Sequence, residues 1–141
     1  MYKDAAIPVT QLSVVHGATP SAHLDMGRAL SALRDEETLV IGSGSLTHNL
    51  DEFRGQGVDT PVPSWVSDFG VWMNGRLEQG DTASSADDRT KVPHAVRNHP
   101  SKEHLSPLFA ALGAASASAT ATRLHSSYEY GVLAMDVYAF E

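Results

Sequence analysis

The chain has 141 residues, 42% of them hydrophobic and 19% charged, a length at which one domain can bury enough apolar surface to outweigh its chain entropy. Its 17 acidic and 10 basic side chains give a formal charge of −7, and the basic residues never cluster, which argues against nucleic acid because phosphate binding rests on grouped Lys and Arg. The lack of cysteine excludes a disulfide scaffold, a thiolate zinc site, an iron–sulfur cluster and a cysteine nucleophile.

The N-terminus, MYKDAAIPVTQLSVV, lacks the charged-then-apolar order of a secretory signal. No apolar run approaches the roughly 20 residues needed to span a bilayer, so the expected setting is the reducing cytoplasm, without a membrane. Residues 5–15, AAIPVTQLSVV, alternate apolar and polar and are rich in β-branched types, which predicts a strand with Pro8 near its start or at an edge. Residues 16–19 read as a turn. Thr19 is placed to cap a helix over residues 21–34, with Pro20 where that helix begins and Leu24, Gly27, Leu30 and Leu33 at helical spacing. Residues 38–41, TLVI, read as a short strand buried on both faces, so strand, helix and strand suggest a βαβ unit with a parallel pair.

Residues 54–63 are a loop by their Gly, Asp and Pro content. Ser64 is expected to cap a helix through about Gln79, with Trp65, Phe69, Trp72 and Arg76 on one face and Gly80 as the stop. Those aromatics suit a core better than a substrate platform. Residues 81–98 have no period and read as a loop with a short helical turn, in which Asp87-Asp88 is a solvated pair rather than a calcium site. A helix is expected over residues 105–112, ending at Gly113. The Ala/Ser/Thr run 114–122 reads as a mobile loop and residues 132–140, VLAMDVYAF, as a last strand.

Two segments could carry chemistry. Residues 42–50, GSGSLTHNL, follow the expected buried strand directly, and ligands in open α/β sheets gather at strand carboxyl ends. His48 would then enter a crevice beside Ser45, Thr47 and Asn49, as an imidazole able to act as acid or base near neutrality. The plainer alternative is a glycine turn with His48 capping a helix or standing in solvent. The pattern fits neither a nucleophile elbow nor a phosphate loop. The second segment, residues 93–107, PHAVRNHPSKEHLSP, has His94, His99 and His104 at intervals of five, which on a helix cannot share one face. With either Ser101 or Ser106 as cap, His104 lies close to a helix N-terminus, where the local potential keeps an imidazole neutral and able to bind a metal. Three solvent-exposed histidines are the alternative. His23 and His125 read as structural, and Tyr128, Glu129 and Tyr130 as residues that could line a pocket.

Taken in order, IPVTQLSV, MGRALSALRDEETLVIGSGSLTHNL, HPSKEHLSPLFAALGA and SYEYGVLAMDVYAF resemble the C-terminal half of class III extradiol ring-cleavage dioxygenases, in the 4,5-DOPA dioxygenase-like branch. The resemblance covers nearly the whole chain. It implies a non-haem Fe(II) centre, with zinc as an alternative occupant on purification, that uses O₂ to open the ring of a catechol such as DOPA. It further implies that His48, in SLTHNL, is the acid/base histidine and that His104, in EHLSPL, is a metal ligand where a facial triad would use a carboxylate. Asn49, Ser45, Glu103, His99 and Tyr128 are expected around them as orienting or substrate-binding groups.

The family's two further histidine ligands come from N-terminal segments resembling GHGSP and SAHW, with another histidine from a GxDHG segment, and none of these is present here. The expectation is therefore an α/β, three-layer fold with a mixed central sheet and helices on both faces, in which residues 1–141 form the C-terminal part of the catalytic domain. Such a chain should be inactive alone and should seek a homodimer partner or the missing N-terminal half. The alternatives are a non-catalytic remnant or partner subunit, and a zinc hydrolase built from His94, His99 and His104.

Overall fold

A computed structural model describes residues 4, 6–86 and 89–141. The architecture is mixed α and β, with helices and small antiparallel sheets. The Asp87-Asp88 pair and Ala5, the first residue of the expected N-terminal strand, lie outside the described residues.

Helix α1 spans Pro20–Leu30, with Thr19 accepting at its hydroxyl from the Ala22 amide and Pro20 at the start, as the cap chemistry predicts. A tight 3-10 segment, Ser31–Glu36, replaces the last turn of the expected helix and closes at Glu37 in the left-handed region, φ 56°. Helix α1 packs chiefly on α6, Ser106–Ala114. The crossing needs two glycines. A Cβ on Gly27 would fall on the Ala110 carbonyl oxygen, and one on Gly113 on the Leu24 carbonyl oxygen.

Between these lie α2, Leu50–Phe53, and α3, Ser64–Glu78. Helix α3 buries Trp65, Val66, Phe69, Met73 and Leu77. The stripe therefore turns one residue beyond the predicted one, and Trp72 is half-buried beneath the Arg76 guanidinium, 5.4 Å from its ring. Pro63 rather than Ser64 occupies the cap position, without a side-chain bond, and Gly80 at φ 66° ends the helix. The polar stretch beyond it holds two short helices, α4 at Thr82–Ala86 and α5 at Ala95–Asn98.

The strands differ most from expectation. Ala121–His125 (β1) pairs antiparallel with Val137–Phe140 (β4), with an irregularity between Arg123 and His125. Tyr128–Glu129 (β2) pairs with Leu133–Ala134 (β3). The expected mobile loop thus contains the end of α6 and the start of β1, and its Ala114, Ala115, Ala119 and Ala121 are buried. Small residues there serve close packing rather than mobility.

The predicted parallel pair is corrected. Among the described residues neither 6–15 nor 38–41 is a strand, and no central parallel sheet forms. A strand exists only through ladder bonds to a neighbour, and the structure offers neither segment one. Both remain uncovered: Val9 is 84% exposed, Leu39 81% and Ile41 74%. No helix among the described residues is long and apolar enough to cross a membrane.

Candidate functional site: a stacked histidine pair

The segment 42–50 is held against the start of α6 by its backbone. A Cβ on Gly42 would meet the Pro107 carbonyl oxygen and one on Gly44 the His104 carbonyl oxygen. These glycines therefore permit close approach; neither takes positive φ. At that contact the Ser45 amide donates to the His104 carbonyl at 2.8 Å. The Ser45 hydroxyl donates to the Thr47 carbonyl at 2.7 Å, so it folds back on its own loop.

Further along, the loop is tied to residues 97–98 and 132–134. Thr47, fully buried, donates through its hydroxyl to the Val132 carbonyl and accepts from the Ala134 amide, each at 2.8 Å. The His48 amide donates to the Asn98 carbonyl at 2.9 Å. Asn49 caps α2, accepting from the Asp51 and Glu52 amides, and its own amide group donates to the Arg97 carbonyl at 2.6 Å. Arg97 in turn reaches Glu52 at 2.7 Å and lies 4.3 Å from the Trp65 ring.

The result is that His48 and His104, 56 positions apart, stack with ring centroids 3.6 Å apart and planes at 21°. His48 is half-buried and His104 exposed. Burial, then the adjacent His104 ring, lowers the His48 pKa from its ordinary value, because two imidazolium rings face to face would repel. A neutral imidazole beside an open face is suited to accept a proton and return it.

The remaining candidates fall in different places. His99 is buried against Phe69, with ring centroids 5.6 Å apart, and donates from Nε2 to the Leu46 carbonyl at 2.7 Å. Glu103 faces His16, whose Nδ1 lies 3.2 Å from its carboxylate. The Ser101 hydroxyl and the Glu103 backbone amide hold that carboxyl below the usual range, with smaller help from His16 and His104. Tyr128 sits between the two apolar clusters, its hydroxyl at the α3 backbone near Gly70, and burial raises its pKa, helped by Asp136. His94 turns toward Asp68, 3.8 Å away, so His94, His99 and His104 do not meet. Sequence reading did not single out Asn98, whose buried side chain donates to the Trp65 and His94 carbonyls while its backbone carbonyl takes the His48 amide. Its only signal was its position beside His99.

An open trough of about 660 Å³ runs beside His104. It is lined by His104 and Ser45 and by the apolar Leu39, Ile41, Leu124 and Val137. Among the described residues no three His, Asp or Glu side chains converge as a metal cage would require. The donor set among the described residues is therefore short of a complete centre.

Residues 1–140 match the family described as the catalytic LigB subunit of aromatic ring-opening dioxygenase. The chain belongs to this family. A 4,5-DOPA dioxygenase extradiol from Beta vulgaris is 36% identical over 99% of this chain and 52% of its own length. Its namesake from Escherichia coli K12 is 33% identical over 96% of this chain and 50% of its own. The crystal structure of an uncharacterized protein from Escherichia coli K12 superposes with a TM-score of 0.83 at 32% identity, covering 98% of this chain and 57% of that one. The chain spans about half the length of the curated relatives it matches.

Proposed function

We propose that this chain supplies part of the catalytic centre of an extradiol dioxygenase that opens a catechol ring of DOPA type with O₂. The observation that carries this reading is the His48–His104 stack in a chain of the LigB family. His48, held neutral, takes a phenolic proton from the bound catechol and returns it as the ring opens. His104 contributes one donor to an Fe(II) centre, which zinc could occupy on purification. The described residues lack the other donors. The rest of the centre belongs to a complementing N-terminal half, which would also cover the trough and the exposed faces of residues 6–15 and 38–41.

The test is an anaerobic Fe(II) titration of the purified chain, followed by O₂ and DOPA. Weak binding and no yellow ring-opened product are expected from the chain alone. Tight stoichiometric binding with product would overturn the need for a complement. Supplied with the part of the Escherichia coli 4,5-DOPA dioxygenase extradiol that lies outside the match, the chain should give product. His48→Ala should then lower turnover by about 10²-fold or more. The short donor set favours one second reading, a partner or remnant that binds without chemistry, and absence of product from the complemented protein would decide for it.

A further inference from the structure

We infer that His99 is a positioning residue: its Nε2–H bond to the Leu46 carbonyl fixes the 45–49 loop so that His48 stacks on His104. The inference rests on reading those two rings as the reacting pair. The Leu46 carbonyl can only accept, so at 2.7 Å the bond requires the proton on Nε2. Nδ1 is then a bare acceptor, and among the described residues it has no partner. Burial also holds the His99 pKa down at about 4, in keeping with one neutral tautomer. The ring is walled by Phe69 and cannot swing away without opening the core.

The attachment is double. While His99 holds the Leu46 carbonyl, the preceding Asn98 carbonyl takes the His48 amide at 2.9 Å. Adjacent residues thus grip the loop on either side of Thr47. Five residues beyond His99, the His104 carbonyl takes the Ser45 amide at 2.8 Å. The segment that carries one ring therefore fixes the loop that carries the other. A histidine serving only to fill the core would need no donor aimed at Leu46.

Histidine-¹⁵N-labelled full-length chain tests this without turnover. The wild type should show His99 as the Nε2–H tautomer, and cross-relaxation between the His48 and His104 rings. His99→Phe fills similar space against Phe69 but lacks the donor. It should keep the helical circular dichroism, lose the ring–ring cross-relaxation, and speed hydrogen exchange at the Ser45 and His48 amides by about tenfold or more. His99→Gln, which returns an N–H to the same place, should restore both. An Nδ1–H tautomer in the wild type would overturn the inference even if the Phe variant failed to fold. So would an undisturbed stack in His99→Phe, or a Gln variant no better than Phe. Failure of the positioning role shows in these spectra, whereas failure of the ring-opening reading shows in the product assay.

Discussion

The Thr47 hydroxyl spends both its donor and its acceptor inside the protein, on Val132 and Ala134. Valine has nearly the same shape and neither capacity, so Thr47→Val would leave a buried carbonyl and a buried amide unpaired. Each such group costs about 1–3 kcal/mol, and a loss of about 2–4 kcal/mol is expected in denaturant unfolding. An unchanged midpoint would mean that water satisfies both groups. His99 makes a second prediction at this scale. Its pKa falls from 6.5 in the unfolded chain to about 4 in the folded one, so between those values the unfolded state binds the extra proton. The protein therefore loses stability as pH falls from 6.5 toward 4, by about 3 kcal/mol from this ring, with no contribution above pH 6.5. His99→Gln should flatten that part of the stability–pH curve relative to wild type. A curve of equal slope would place the titration elsewhere.

At the scale of elements, the contact of α1 with α6 depends on two helices approaching at Gly27 and Gly113. A methyl group at Gly113 meets the Leu24 backbone, which cannot turn aside as a flexible side chain could. Gly113→Ala should therefore destabilise the protein by about 1–3 kcal/mol despite alanine's better helix propensity. Thermal unfolding decides it: a raised midpoint would mean that the helices separate at little cost. The loop 42–50 obeys the same logic. Its glycines at 42 and 44 let one backbone rest on another, and this contact brings Ser45 to the carbonyl of His104. The glycines were visible in the sequence, but what they approach was not, because α6 begins more than 60 residues later.

For the whole molecule, the uncovered apolar surface matters most. Val9, Leu12, Leu39, Ile41, Leu124 and Val137 are all exposed, and several of them line the trough beside His104. Contiguous apolar surface of this kind associates or binds hydrophobic probes. The chain alone should bind a hydrophobic dye and elute from a sizing column as an associated species. A compact monomer that ignores the dye would count against this. The relatives' greater length agrees with a face made to be covered.

Helices α1, α3 and α6 were legible because their signals are local. Thr19 and Pro20 start one, Gly80 stops another, and apolar residues recur every three or four positions between such marks. The family motifs around His48 and His104 were equally legible, as was the α/β class. Strands were legible only within 132–140, where β3 and β4 lie; residues 6–15 and 38–41 have strand-like composition without a partner, whereas 121–125 finds one in 137–140. Sequence also could not show that His48 lies on His104, that Thr47 anchors the loop, or that Glu103 turns to His16. Side-chain identity and order determined which helices form and which family the chain joins. Pairing between distant backbones, with the burial it produces, decided which strands exist and which two rings meet.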